Sequence, residues 1–203
     1  MSPDELDHAW LYDLVDPDDQ VRGRALARQR AHVAAPFWPE AERSRHESQS
    51  FGGPIAAFLH PFYLVQDMTF APFALLYLRW EARYPDEWRA PESNLYSPWS
   101  IKEQLLRRFA TSGVPDALRP EAADLVLAAM QRPYRCKDWR YARLIGRVDG
   151  PGFRDQVNTL AHDPDPLLSA RARFVLHVAD HPGRPVNRNS WRRWVADETV
   201  HAS

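Results

Sequence analysis

A carboxylate in an otherwise apolar stretch is the most unusual chemical feature of this sequence. Asp67 lies in the run Phe-Tyr-Leu-Val-Gln-Asp-Met-Thr-Phe, whose apolar neighbours predict burial. A buried carboxylate needs a partner or has a raised pKa, and such groups concentrate at functional sites. His60 lies about two helical turns before Asp67, Tyr63 lies between them, and Thr69 follows. These residues predict a polar pocket in which His60 and Asp67 form an acid/base pair for proton transfer.

The segment 85–97 is predicted to cover this pocket. Its prolines and polar residues indicate a long irregular connection, and loops of this length are often functional. Its candidate binding residues are Trp88, Asn94 and Tyr96. A second interpretation needs no site, because Asp67 could instead cap a helix that starts near Ala71. A third pairs Asp67 with an arginine of that helix, Arg79 or Arg83.

Two histidines, His177 and His181, have the helical spacing of a shared metal ligand pair. Val178 stands where a zinc-protease motif needs glutamate. His181 also precedes Pro182 at a predicted helix end, where the helix dipole alone favours histidine. We therefore predict no metal site. The sequence contains no phosphate-binding glycine loop, dinucleotide fingerprint or Gly-x-Ser-x-Gly elbow, so we predict no cofactor either.

Cys136 is the only cysteine, which excludes a disulfide within the chain. Arg135 and Lys137 flank it, and neighbouring cations favour a thiolate. No histidine is close in sequence to act as its base. Nucleophilic catalysis therefore has little support, and the sequence leaves open whether the chain is an enzyme.

The pattern of apolar residues predicts a helical protein. The 18 prolines separate short apolar-periodic segments, and sustained period-two alternation is absent. Asp16 and Asp138 are predicted to cap helices. The predicted helices cover about 3–14, 17–33, 61–68, 71–84, 97–110, 121–131, 138–148, 153–160, 166–179 and 190 onward.

The longest apolar tract, 55–78, is long enough to span a bilayer but contains Asp67, Pro61 and Pro72. A charge at the centre of a membrane helix costs roughly 2.5–3.5 kcal/mol, so this tract is interpreted as protein core. The N-terminus is acidic, unlike a signal peptide. We therefore expect a cytoplasmic protein that does not enter a membrane.

The same design occurs near both ends of the chain. An apolar helix end precedes an Asp-Pro-Asp turn, at 16–18 and at 163–165, and the next helix carries an arginine in its early turns, Arg22 or Arg171. This design resembles the turn of a HEAT-like repeat, in which the aspartate caps the second helix and the arginine braces neighbouring turns. The segment 36–100 does not fit the pattern.

The resemblance implies an all-α fold of stacked antiparallel helix pairs, as in an α-solenoid, with an irregular central segment. One helix pair cannot bury both of its faces, so such pairs stack. We predict a single domain over 1–203, with a first helix pair in 1–35, an aromatic and proline-rich helical insert in 36–100, and further pairs in 101–203.

Aromatic and basic residues interleave near the C-terminus, at Trp191, Arg192, Arg193 and Trp194. Certain HEAT-like repair glycosylases hold DNA in a basic concave face with tryptophans, so the resemblance implies nucleic-acid binding as one alternative. A net charge of −1 does not favour it, because DNA binding rests on many phosphate contacts. Tryptophan and arginine are also enriched at protein interfaces.

We therefore expect a protein-binding helical scaffold, or an accessory subunit of a larger assembly, that offers an aromatic and arginine-rich groove. The first alternative is a small-molecule enzyme that uses the pocket around His60 and Asp67. The second is a HEAT-like nucleic-acid binder. A protein is the favoured partner, a small molecule is an alternative, and neither nucleic acid nor membrane is favoured.

Overall fold

Every regular element within residues 8–34, 39–60 and 68–201, the part of the chain that this computed structural model describes, is helical. The predicted all-α fold is confirmed, whereas HEAT-like stacking of the helices stays a prediction. No helix in these ranges is long and apolar enough to cross a membrane. The chain divides into two compact units, Met1–Ile101 (the N-terminal unit) and Lys102–Ser203 (the C-terminal unit). The single domain over 1–203 stays a prediction.

In the described part of the N-terminal unit, the helix with the most buried residues is the apolar helix Ala71–Arg83. Its described elements are, in order, the 3₁₀ helix Ala9–Val15, α1 (Asp19–Val33), α2 (Glu40–Gln49), α3 (Gly52–Leu59), α4 (Ala71–Arg83), α5 (Pro85–Arg89) and the 3₁₀ helix Pro91–Ser93.

An aromatic cluster forms the centre of this unit. Tyr77 and Trp80 lie three residues apart on α4 and therefore share a face. The ring of Phe51 stacks on Trp80 with centroids 5.7 Å apart, and Tyr77 meets Trp88 edge-on at 5.6 Å. Trp88 in turn meets Trp99 edge-on at 4.9 Å. Edge-to-face pairs add to the stabilisation that ring burial provides.

Helix α2 contains no large apolar side chain, so close approach and polar contacts attach it. His8 Nε2 lies 2.8 Å from the carbonyl oxygen of Ser48, and the Nδ1 atoms of His32 and His46 are 3.1 Å apart. At the start of α3, a Cβ atom on Gly53 would lie only 2.3 Å from the Ser48 carbonyl oxygen. Glycine is therefore required for α2 and α3 to meet this closely.

Helix α6 (Pro98–Ser112) contains the division between the units. It ends at Gly113, whose φ of 98° suits glycine and whose N–H donates to the Phe109 carbonyl oxygen at 3.0 Å. The C-terminal unit continues with the 3₁₀ helix Asp116–Leu118, α7 (Arg119–Gln131), the 3₁₀ helix Asp138–Leu144, α8 (Ile145–Val148), α9 (Pro151–Ala161), α10 (Pro166–Asp180) and α11 (Arg188–His201).

Helix α10 is the centre of the C-terminal unit, and both α9 and α11 pack against it. Its buried face includes Phe174 and Val178. Ser169 Oγ donates to the carbonyl oxygen of Ala161 at the end of α9, at 2.6 Å. On the other side, Trp194 Nε1 of α11 donates to the Ala170 carbonyl oxygen at 3.0 Å.

The two Asp-Pro-Asp turns have the same hydrogen-bonding arrangement. The first aspartate of each accepts the backbone N–H of the third residue: Asp16 from Asp18 at 2.8 Å, and Asp163 from Asp165 at 2.9 Å. The third residue then caps the following helix, because Asp18 and Asp165 accept backbone N–H groups of α1 and α10. The prediction that Asp16 caps α1 was therefore wrong by two residues.

The arginine after each turn is buried and binds backbone carbonyl groups. Arg22 donates to the Asp16 carbonyl oxygen at 3.0 Å. Arg171 donates from one nitrogen to two carbonyl oxygens at the end of α7, those of Met130 at 3.1 Å and Arg132 at 2.8 Å. Each arginine therefore braces a neighbouring chain reversal.

Several parts of the chain differ from the sequence-based expectation. The polar stretch 40–49 is helix α2, since its glutamate, alanine, arginine and glutamine residues favour helix without an apolar stripe. The segment 85–97 contains α5 and a 3₁₀ turn, with Pro85 at a first helical position. Asp138 caps no helix and is buried. The predicted helices at 3–14 and 61–68 fall partly or almost wholly outside the described residues.

Candidate functional site

The pocket predicted around His60 and Asp67 cannot be assembled from the described residues. Asp67 and Tyr63 lie outside them. His60 directly follows α3 and is exposed, and Thr69 is exposed in the turn before α4. Phe70 occupies the N-cap position of α4. The acid/base pair therefore stays a prediction, and the two described residues of the predicted pocket, His60 and Thr69, are exposed.

The residues predicted to cover that pocket have different environments. Trp88 is fully buried in the aromatic cluster, so in this conformation its side chain packs against the core and does not face a ligand. Asn94 fastens the segment: it donates to the Trp88 carbonyl oxygen at 2.5 Å and accepts from the Tyr77 hydroxyl at 2.7 Å. Burial raises the pKa of Tyr77. Tyr96, at 68% exposure, is the most exposed residue of this group, and Asn94 is half-buried.

The tryptophan and arginine cluster of α11 separates onto two faces. Trp191 and Trp194 are half-buried against Phe174 of α10, with ring centroids 5.0 Å and 5.7 Å away. Arg192 and Arg193 are exposed on the outer side. The tryptophans therefore dock α11 onto the unit, and the arginines are the exposed members of the cluster.

His177 of α10 and His181, which directly follows this helix, interact with each other. Their rings stack with centroids 4.3 Å apart, and His181 Nδ1 lies 2.9 Å from the His177 carbonyl oxygen. Burial lowers the pKa of His177, and the nearby charges of His181 and Arg184 lower it further. Within the described ranges, no three His, Cys, Asp or Glu residues come together as metal ligands.

An open cleft of about 430 Å³ lies in the C-terminal unit and was not predicted. One wall comes from the helical run 138–148 and the other from the end of α10 and the turn that follows it. Volumes of this order are typical of ligand sites. The cleft is lined by Ala110, Thr111, Arg143, Ile145, Gly146, Arg147, Val178, Ala179, Pro182, Gly183, Arg184, Pro185 and Val186.

Three arginines give this cleft its charge, and no carboxylate lines it. Arg147 is fixed, because its Nε donates to the Ala110 carbonyl oxygen at 3.1 Å and one Nη to that of Thr111 at 3.2 Å. Among the described residues, the side chains of Arg143 and Arg184 have neither an ion pair nor a hydrogen bond. Two guanidinium groups therefore face the cleft without compensation.

Two carboxylates close in sequence to the lining residues are paired with an arginine outside the cleft. Asp149 and Asp180 follow lining residues in the sequence, but both bind Arg154 of α9. The Arg154–Asp180 pair measures 2.8 Å and lowers the pKa of Asp180. Neither Arg143 nor Arg184 is paired with them. We refer to the residues that line this cavity as the arginine cleft.

A second cleft, of about 440 Å³, lies between α7 and α9 of the same unit. Its arginine, Arg119, already pairs with Asp116 at 2.7 Å, and Asp124 adds another carboxylate. The glycine Gly152 lines it, and a Cβ atom there would meet nothing within 4 Å. Its charges are balanced or acidic, so it lacks the uncompensated cations of the arginine cleft.

A buried charge cluster lies elsewhere in the unit. Lys102 Nζ binds Asp138 Oδ1 at 2.6 Å, with the lysine side chain 0% and the aspartate 3% exposed. Arg132 donates to the same carboxylate at 2.9 Å, and the Arg135 backbone N–H does so at 2.7 Å. A ligand cannot reach this enclosed carboxylate, so we assign the cluster to stability.

Comparison with protein-family models, with curated proteins and with solved structures finds no match for this chain. The case for a function therefore rests on the geometry of its own residues. The arginine cleft could not be seen in the sequence, because its two walls are separated by more than thirty residues. The single available signal was the i, i+4 spacing of Arg143 and Arg147 on one helical run.

Proposed function

We propose that this chain is a protein-binding helical module, an accessory subunit that holds a segment of a partner protein in the arginine cleft. One observation carries the proposal: an open cavity combines uncompensated arginines with apolar walls. Burying even one such wall against a partner releases water, and arginine is enriched at protein interfaces.

The chemistry of the lining favours binding over catalysis. Arginine stays protonated in proteins and cannot shuttle protons. The single hydroxyl of the lining, on Thr111, is engaged with the carbonyl oxygens of Arg107 and Arg108 in its own helix. The lining contains no histidine, cysteine or carboxylate that could act as nucleophile or base.

The lining also argues against nucleic acid. Single strands are held by aromatic side chains on which bases stack, and no aromatic residue lines this cleft. The tryptophans of α11 that suggested such binding pack against α10. The exposed arginines of α11 are Arg188, Arg192 and Arg193, few compared with the many phosphate contacts that DNA binding needs.

Site-specific photocrosslinking tests the proposal. A photoreactive phenylalanine analogue replaces Arg143 in the full chain expressed in the source organism, and in parallel it replaces Arg192, exposed outside the cleft. We expect a discrete protein adduct from position 143 and not from 192. The captured protein, purified, should then bind the unmodified chain.

A steric variant provides the matched control. Gly146 lines the arginine cleft, and a Cβ atom there meets nothing within 4 Å, so Gly146→Phe adds a ring at the cleft lining without a clash at its Cβ. Gly152→Phe places the same ring in the second cleft. Loss of partner binding by Gly146→Phe alone supports the proposal. Equal crosslinking from both positions, or partner binding unaffected by Gly146→Phe, overturns it.

A further inference from the structure

We infer that the arginine cleft recognises an acidic segment, one in which carboxylate side chains alternate with small apolar residues. This inference rests on the proposed function and adds the chemical class of the partner's segment. Three observations support it: arginines lie on both walls, the walls between them are apolar, and Asp149 and Asp180 are paired with Arg154.

Cations face the cleft from both walls. Arg143 and Arg147 lie one helical turn apart on the run 138–148, whereas Arg184 lies in the turn between α10 and α11. A chain lying between the walls therefore meets a guanidinium group on each side. Guanidinium groups bind carboxylates through two parallel hydrogen bonds, which fix orientation as well as supplying energy.

One of the three arginines is already positioned. The Arg147 side chain is anchored to two carbonyl groups at the end of α6, which leaves its second Nη free of these bonds. Arg143 and Arg184 are the groups that a ligand would neutralise. Arg184 also lies near enough to His177 for its charge to lower the pKa of that histidine, although burial is the larger cause.

The walls between the arginines are apolar. Ile145 comes from α8, Val178 from α10, and Pro182, Pro185 and Val186 from the following turn. Small apolar side chains of a bound segment would contact these walls while its carboxylates reach the arginines. Inorganic phosphate, which has no apolar part, would bind the arginines but would leave the apolar walls exposed to water.

Peptide binding by the full chain tests the inference. The probe is a fluorescein-labelled peptide of four Glu-Ala pairs, compared by anisotropy with the same peptide carrying Gln-Ala pairs. Because charge-assisted hydrogen bonds are about twice as strong as neutral ones, we expect the Glu peptide to bind about tenfold more tightly or better. Its binding should weaken as salt increases.

The double variant Arg143→Gln/Arg184→Gln removes the two uncompensated cations and should weaken binding of the Glu peptide about tenfold or more. Arg192→Gln/Arg193→Gln removes the same charge from exposed positions of α11 and should change it less than about twofold. Both pairs are on the surface, so thermal melts of the two variants should match the parent chain. Arg147 is left intact because it caps α6.

Several outcomes separate failure of this inference from failure of the proposed function. Equal binding of the Glu and Gln peptides, with Gly146→Phe abolishing both, overturns the acidic preference and leaves the docking site standing. No effect of Arg143→Gln/Arg184→Gln also overturns the inference. Tighter binding of a single-stranded oligonucleotide than of the Glu peptide overturns both. Where neither peptide binds, the inference fails, and crosslinking from position 143 decides the proposed function by itself.

Discussion

Replacing Lys102 by methionine should destabilise the C-terminal unit strongly. The substitution keeps the length of the side chain and removes a cation that is 0% exposed and 2.6 Å from the Asp138 carboxylate. Breaking a buried ion pair by removing one partner typically costs about 3–5 kcal/mol, because the other charge stays buried. Arg132 and a backbone N–H remain on that carboxylate, so we expect a loss near the lower end, about 3 kcal/mol.

Two further variants provide comparisons for this loss of stability. Asp138→Asn removes the charge that neutralises both cations and should cost more than Lys102→Met, about 4–5 kcal/mol. Lys137→Met removes a neighbouring lysine whose partner, Glu103, is 2.5 Å away but whose side chain is 33% exposed. Exposed pairs contribute little, so this matched control should cost under about 1 kcal/mol.

Thermal unfolding of the full chain measures these losses, and hydrogen exchange in α10 assigns the transition to the C-terminal unit. A domain of about 100 residues shifts by about 4 °C or more per kcal/mol, so Lys102→Met should lower Tm by at least about 12 °C. If Lys102→Met and Lys137→Met lower Tm equally, the buried pair does not contribute as its burial implies, and this reasoning is wrong.

Three other perturbations have expected outcomes. The N-terminal unit should lose stability as pH falls below about 6.5, because burial and nearby His46 depress the pKa of His32 in the folded state and the unfolded chain takes up the proton more readily. In His32→Gln, the fall in the urea midpoint from pH 7.5 to pH 5 should be smaller than in the parent chain. Asp165→Ala removes the N-cap of α10 and should cost about 0.5–2 kcal/mol by urea denaturation. Arg171→Met leaves two carbonyl groups, one buried and one part-buried, without this donor and should lower the free energy of unfolding by about 2 kcal/mol, with faster hydrogen exchange at the end of α7.

Local patterns predicted the class of the fold well. Prolines and apolar periodicity indicated helices, and the two Asp-Pro-Asp turns predicted the chain reversals before α1 and α10. The cap at Asp18 was missed because both aspartates of its turn satisfy the same sequence rule. Helix α2 was missed because it has no apolar stripe, so propensity was its only signal.

The candidate site was harder to predict because it depends on contacts between distant segments. Arg143 and Arg184 each resemble an ordinary solvated arginine in the sequence. Only the fold shows that Asp149 and Asp180 are both taken by Arg154, which leaves the cleft uncompensated. Trp191 and Trp194 lie three residues apart and therefore share one helix face; we predicted both as binding residues, and in the fold both pack against Phe174.

The buried ion pair left a weak trace. Lys102 lies one helical turn before Leu105 and Leu106, and all three are buried. Nothing in the sequence connects this lysine to Asp138, which stands where a helix cap was predicted. The partner of a buried charge is set by the fold, so the pair could not be derived from local patterns.

The close approach at Gly53 limits which residues can replace this glycine. A single added carbon there would overlap the Ser48 carbonyl oxygen, 2.3 Å away, and backbone cannot yield as a flexible side chain can. The same Ser48 carbonyl oxygen lies 2.8 Å from His8 Nε2, so a shift of this carbonyl would also disturb the contact that joins α2 to His8. Even alanine, elsewhere the mildest of replacements, brings the clashing Cβ atom, so position 53 is confined to glycine for as long as α2 and α3 meet this closely.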